Sequence, residues 1–271
     1  MSFEGRVAIV TGASRGVGRA IALAFARSGC HVVVAGRSTR EHARLPGTIY
    51  SVAEEIASGA PAVRALPVRC DVREADQIEA MVSTCVEELG RADILVNNAG
   101  AAWWKPVVGT PAKRFDLVMD VNFRAAHVAA RAVIPHMIDG GFGHIINLSP
   151  PVGRPEMVGG KCAYMVSKFG MTYLAVALAE ELEGEPVAAH ALWPVTVVES
   201  YASINFGLGT REQWRTPDIL ADAAVALAGR DPHASSGRAW LDEEVLRELC
   251  NVTDFGGYAC VPGNEPMKIP W

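Results

Sequence analysis

Tyr164 and Lys168, in the string Tyr-Met-Val-Ser-Lys, stand at the head of an apolar-periodic run over residues 169–182. In a helix, residues four apart stack on one face, so this spacing makes a phenol and an ammonium neighbours. A free phenol has a pKa of about 10 and exchanges protons poorly at neutral pH, whereas an adjacent cation stabilises the phenolate and lowers that value. Tyr164 is therefore a candidate general acid/base with Lys168 as its activator, although an ordinary amphipathic helix with a tyrosine at its edge would show the same spacing. A second chemical signal lies near the N-terminus. Residues 6–11 read as a short apolar strand, and Gly12-Ala-Ser-Arg-Gly16-Val-Gly18 follows at once, leading into a helical pattern over 19–28 and a second strand over 31–35. In such a strand, turn and helix, Gly12 permits the tight turn, Gly16 lets the backbone approach a pyrophosphate, and Gly18 allows close packing of the helix. The helix amides and dipole then attract the anion, with Ser14, Arg15 and Val17 beside the same ligand. Proton transfer next to a bound dinucleotide is the chemistry these two stretches imply.

The elements that must position them follow in order. Further strands are expected over 63–68, 92–96, 143–149, 186–193 and 236–241, with helices over 50–57, 74–89, roughly 113–137 and the run beginning at Tyr164. Alternation of this kind predicts an α/β fold, a doubly wound parallel sheet flanked by helices, with ligands at the strand C-termini. At 271 residues, with no long polar linker, one domain over 1–271 is expected, with a tail from about 242. Half the residues are hydrophobic, a fifth are charged and the net charge is −5, which argues against nucleic acid as a partner and for a small molecule. The six cysteines lie far apart without C-x-x-C spacing, so no metal site is expected and the thiols read as reduced. The start of the chain has no signal-peptide core and no run of 18 apolar residues occurs, so no membrane partner is expected and the cytoplasm is the default location.

The turn Thr-Gly-x-x-x-Gly-x-Gly at 11–18, the string Asn97-Asn98-Ala99-Gly100 and the later Tyr-x-x-x-Lys together resemble the short-chain dehydrogenase/reductase family, over nearly the whole chain. The resemblance implies a Rossmann-type oxidoreductase that interconverts a carbonyl and an alcohol, with Tyr164, Lys168 and Asn122 as catalytic residues. Asn122 would hold a water that links the lysine to solvent. It also implies that Asp71 and Val72 contact adenine, that Asn98, Ala99 and Gly100 line the cofactor, and that Pro194, Thr196 and Val197 contact the nicotinamide. Asp71 could equally cap the helix after it. In the family an acidic residue after the second strand holds the ribose of NAD. Here Gly36-Arg37 stands in that place, and a guanidinium binds a 2′-phosphate that a carboxylate would repel, so NADP(H) is expected over NAD(H), with Arg15 pointing to the same pocket. Arg37 could also be a solvated loop residue.

Two departures stand out. The family's serine doublet appears as Ser149-Pro150-Pro151, so Ser149 is a conditional fourth catalytic residue, fifteen positions before Tyr164; and the glycine usual after Pro194 is missing. With Leu45-Pro-Gly-Thr-Ile-Tyr50, Ala191-Leu-Trp-Pro194 and the stretches Leu241-Asp-Glu-Glu and Val252-Thr-Asp-Phe255, the Ser-Pro-Pro string resembles the hydroxysteroid dehydrogenase-like branch. Longer members of that branch carry an added sterol-carrier domain, for which this chain is expected to have no counterpart. The polar insertion over 38–49 is placed to lend Ser38 or Arg40 to the phosphate site. Trp103-Trp104 stand where the family has its substrate cleft, so at least one should line a pocket or an interface. Residues 199–215 should form a lid, which with the tryptophans points to a hydrophobic substrate. The tail reads either as a cover for a neighbouring subunit or as a loose surface segment. Two long apolar helices suggest a homodimer or homotetramer. The alternative function is a nucleotide-binding sensor or scaffold with impaired turnover.

Overall fold

A computed structural model describes residues 2–43, 45–152, 158–234 and 236–269. Seven parallel strands form one sheet: β1 (Val7–Thr11), β2 (His31–Gly36), β3 (Ala65–Arg69), β4 (Ile94–Asn97), β5 (Gly143–Leu148), β6 (Val187–Trp193) and β7 (Ala239–Leu241), in the order β3-β2-β1-β4-β5-β6-β7. Runs such as Val-Ala-Ile-Val in β1 are apolar at every position because parallel strands are covered on both faces. The alternation of side chains divides them between two layers. Ala8 and Val10 face a cluster with Ile21, Phe25, Ile219 and Trp240, whereas Val7 and Ile9 face one with Met81, Val133, Met137 and Leu178. The first layer is covered by α1 (Gly16–Arg27), α2 (Ile49–Gly59), α8 (Asp218–Ala228) and α9 (Asp242–Cys250). The second is covered by α3 (Ala75–Leu89), α5 (Ala125–Asp139) and α6 (Cys162–Glu181), with α4 (Ala112–Met119) leading into α5. The strand order reverses beside β1, between β2 and β4, and that reversal opens a crevice at the strand C-termini.

Three elements differ from the sequence expectation. The single helix expected over about 113–137 is interrupted by a π-turn, Asp120–Arg124, with Asn122 at its centre; the extra residue re-aims that side chain into the interior. Although no uniformly apolar run of 18 residues occurs, α6 is by length and composition apolar enough to cross a membrane. Here it packs on β5, β6 and the π-turn, with Lys168 buried in that face, as a core helix of the sheet. The tail, over its described residues, packs on its own chain. It begins as α9, whose first turn carries Asp242, Glu243 and Glu244, acidic residues suited to a helix N-terminus. Residues beyond Asn251 then run back to the end of β6, where Lys268 pairs antiparallel with Thr196 and Ala259 with Arg215.

Candidate active site

A cavity of about 910 Å³ occupies the crevice. Its first end is made largely of backbone. Gly12 has φ +67°, and a Cβ there would come within 2.9 Å of Ala99 Cα; a Cβ on Gly18 would fall 2.4 Å from Asn98 Nδ2. Gly16, at φ +55°, faces open space, so its backbone is exposed to whatever fills the crevice. Thr11 Oγ1 accepts the amides of Asn98 and Ala99, and Asn98 Nδ2 donates to the Thr11 carbonyl at 2.9 Å, which straps the loop after β4 onto the glycine turn. Gly12, Ser14, Arg15, Gly16, Val17 and Gly18 line this end, with Arg37, Asp71, Val72, Asn98, Ala99 and Gly100 across from them. A close-approach turn at the mouth of a helix, walled by small residues, fits a dinucleotide.

The two arginines expected at the ribose do different work. Arg37 is two-thirds exposed, and its Nη1 lies 3.6 Å from Asp71 Oδ2. Arg73 binds the same carboxylate at 2.6 Å, and that hydrogen bond, aided by Arg37, holds Asp71 at about 2. Asp71 also accepts the Arg73 amide and does not cap α3. Arg15 instead donates to the carbonyls of Leu45, Pro46 and Gly47 and to Ser38 Oγ. The guanidinium is thus the peg on which the 38–49 insertion hangs, with Nε and Nη2 committed to that loop. Gly47, at φ +95°, makes this possible, since a Cβ there would meet the Ser14 carbonyl at 2.5 Å. Ser38 and Leu45 reach the cavity wall; Arg40 is exposed and lies outside it.

At the other end Tyr164 and Lys168 line the cavity from the first turns of α6. Lys168 Nζ donates to the Leu148 carbonyl at 2.7 Å and lies 5.7 Å from the centre of the Trp193 ring. Burial pushes the Tyr164 phenol up and brings the Lys168 ammonium down to about 7. This reverses the expected lowering of the phenol, because the lysine points at a backbone carbonyl and both groups lose water, which favours their neutral forms. A Cβ on Gly100 would lie 3.6 Å from Asn122 Oδ1 and 3.9 Å from Lys168 Nζ, so both side chains flank that glycine.

Asn122 itself does not line the large cavity. Its Oδ1 accepts the Ala101 amide at 2.8 Å, while Nδ2 donates to the Ala101 carbonyl and to Ser167 Oγ. Its side-chain amide therefore braces the loop after β4 against α6. Ser149 is displaced more completely. It is buried outside the cavity lining, its hydroxyl receives Thr172 Oγ1 at 3.0 Å, and Thr172 also captures the Pro150 carbonyl at 2.6 Å. Pro194 and Val197 line the cavity, whereas Thr196 is buried beside it.

The substrate side brings Trp104 and the lid, both expected at a pocket, together with residues that carry no motif. Trp104 lines the cavity, stacks on Phe206 with centroids 4.0 Å apart and lies 6.1 Å from the Tyr164 ring; Trp103 packs under Arg114 instead. Phe206 follows α7 (Tyr201–Asn205), a lid helix begun by the Ser200–Ser203 capping box. Val197, Trp214 and Cys260, with Leu208 and Ile269 against them, form a third apolar cluster that ties lid, β6 loop and tail together. Met267, Lys268 and Ile269 join the cavity wall, and Asp242 Oδ1 accepts the Val195 amide at 2.9 Å from the opposite side. The only sequence signal for Lys161, also in the wall, was its place three residues before Tyr164.

A family model described as short chain dehydrogenase matches residues 6–203. The chain belongs to the short chain dehydrogenase family. Within that family it falls in the hydroxysteroid dehydrogenase-like branch: hydroxysteroid dehydrogenase-like protein 2 of Mus musculus is 42% identical over 263 residues, 96% of this chain and 52% of the mouse protein. This short chain dehydrogenase thus spans about half the length of that relative. Its fold superimposes on a putative dehydrogenase from Xanthomonas campestris with a TM-score of 0.94 at 38% identity, covering 99% of this chain and 98% of that one. A metagenomic short-chain oxidoreductase in complex with NADP is 31% identical with a TM-score of 0.73, over 89% of this chain and 97% of the other.

Proposed function

We propose that this short chain dehydrogenase uses NADP(H) to interconvert a carbonyl and an alcohol on a predominantly apolar substrate. The observation that carries this reading is one continuous cavity with Arg37 and the glycine turn at one end and the Tyr164–Lys168 pair at the other. The cofactor, when bound, supplies or accepts hydride. The glycine turn holds its pyrophosphate, and Arg37 meets the 2′-phosphate, a choice supported by the NADP-bound relative. Lys168 fixes the ribose and the electrostatics around the phenol. In the reducing direction Tyr164 gives its proton to the carbonyl oxygen, and its raised pKa keeps that proton available at neutral pH. The displacement of Ser149 removes one hydrogen bond to that oxygen and leaves the proton donor in place. The lid, Trp104 and the tail exclude water from the reacting carbon. A panel of ketones, aldehydes and alcohols assayed with NADPH or NADP tests the proposal: turnover of some member is expected, and none across the panel would refute it. Val166 and Tyr173, exposed on the outer face of α6, support assembly into a homodimer or homotetramer, which light scattering would detect as a mass above 28.9 kDa.

A further inference from the structure

The charge of the cavity wall is opposite to that of the protein. The chain carries a net charge of −5, yet among the described residues the cavity lining includes Arg15, Arg37, Lys161, Lys168 and Lys268 against a single carboxylate, Asp71. Asp71 and the two arginines belong to the adenosine end, and Lys168 serves Tyr164. Lys161 is left over. Among the described residues no carboxylate lies within ion-pair distance of it, and its ammonium sits 4.5 Å from the centre of the Trp104 ring. An aromatic face holds a cation through its quadrupole and carries no formal charge of its own, so the ammonium is positioned without being neutralised. The indole is itself held, because Phe206 stacks on it at 4.0 Å with planes 22° apart. The ammonium is thus a cation fixed in the cavity wall with no carboxylate partner among the described residues.

We infer that the substrate end is built for a carbonyl compound that carries a carboxylate, received by the Lys161 ammonium that the Trp104 ring holds in place. This inference rests on the oxidoreductase reading above and narrows its substrate to oxo acids and the matching hydroxy acids. A carboxylate oxygen accepts from the ammonium and supplies the charge that balances it. Because Trp104 lies 6.1 Å from the Tyr164 ring, the carboxylate and the reacting carbonyl meet the same indole and must be joined by only a few bonds. The rest of the molecule lies along apolar wall such as Trp193, Leu208 and Ile269. The carboxylate is neither made nor consumed: the ketone carbon gains hydride, its oxygen gains the Tyr164 proton, and the reverse applies to the hydroxy acid.

The test uses 4-benzoylbutyrate and its methyl ester as probes, titrated by calorimetry into the full chain saturated with oxidised NADP, where a ketone binds without reacting. The acid is expected to bind about 30-fold tighter than the ester, the scale of one charge-assisted hydrogen bond. Lys161→Met should bring that ratio close to one, Lys161→Arg should retain most of it, and Trp104→Leu, which removes the aromatic face that positions the ammonium, should lower it severalfold. A ratio near one in the parent protein overturns the inference. So does a ratio that survives Lys161→Met, or one that collapses with Lys268→Met instead. Failure of the oxidoreductase reading would look different: the acid preference and its dependence on Lys161 would persist while neither probe is reduced with NADPH.

Discussion

The two ends of the cavity are built from different materials. At the cofactor end the contacts are backbone against backbone, glycine against alanine, with the strap from Asn98 to Thr11 closing the arrangement. Its parts lie on β1, α1 and β4, deep in the two main apolar layers. At the substrate end the wall is made of side chains from the loop after β4, the start of α6, the lid and the tail, tied by a separate small cluster around Trp214. A few contacts outside the main core give little resistance to local opening, so this end can exchange its contents while the other stays fixed. The lesson is that an end walled by backbone selects by shape, whereas an end walled by side chains selects by their chemistry.

The largest expected effect lies where the ends meet. Tyr164→Phe keeps the packing and removes the proton donor, so single-turnover hydride transfer should fall by about 10²-fold or more, while calorimetric NADPH affinity changes little. A variant that kept the parent rate would break the assignment of chemistry to α6. Next in size is Arg37→Asp, which should weaken NADPH by roughly 10- to 100-fold and NADH far less, since it places a carboxylate at a phosphate. Arg15→Ala sharpens the contrast. Because Arg15 holds the insertion, its loss should weaken both cofactors alike, and a selective loss of NADPH would show that Arg15 reaches the 2′-phosphate after all.

A smaller effect is a difference in pH dependence between the two directions. Carbonyl reduction needs the neutral phenol, which burial stabilises, and should stay flat up to neutral pH; alcohol oxidation needs phenolate and should rise as pH increases above 7. Matching profiles in both directions would contradict this. Far from both ends, His144 and His190 stack face to face inside β5 and β6 with centroids 5.8 Å apart, and burial brings them to about 4 and about 3. The unfolded chain takes up protons near the ordinary value of 6.5, which the folded rings refuse. Stability should therefore be full above about pH 6.5 and fall as pH drops toward 4 and 3, by up to about 1.4 kcal/mol per unit for each ring. Urea unfolding at pH 7 and pH 5 measures it, and equal stabilities would refute it. The least effect is expected of Ser149→Ala, a change in turnover of less than about threefold, against the 10²- to 10³-fold loss typical of an oxyanion donor.

How much of this was legible depended on whether a contact was carried by residue type. The glycine turn, Asn98-Ala99-Gly100 and Tyr164–Lys168 announce themselves because only those side chains, or their absence, allow the geometry. The parallel sheet follows from the alternation of strands and helices, whereas the strand order appears only in the structure. The role of Arg15 was hidden because its partners are backbone carbonyls, which any loop of suitable length supplies. Ser149 was misplaced for a tertiary reason: Thr172, one turn beyond Lys168, draws the Pro150 carbonyl and the serine hydroxyl inward. The lowered phenol pKa was expected from spacing along a helix, whereas the direction of the lysine is set by Leu148 on a neighbouring strand. Lys161 carries no motif, and its meaning appears only when Trp104 is seen beneath it.

The antiparallel pairing of Lys268 with Thr196 sets an order of events during synthesis. The ribosome releases the chain from its N-terminus. Residues 267–269 leave it after the glycine turn, β4 and α6 have been made, so the segment that closes this part of the wall is the last of those pieces to become available.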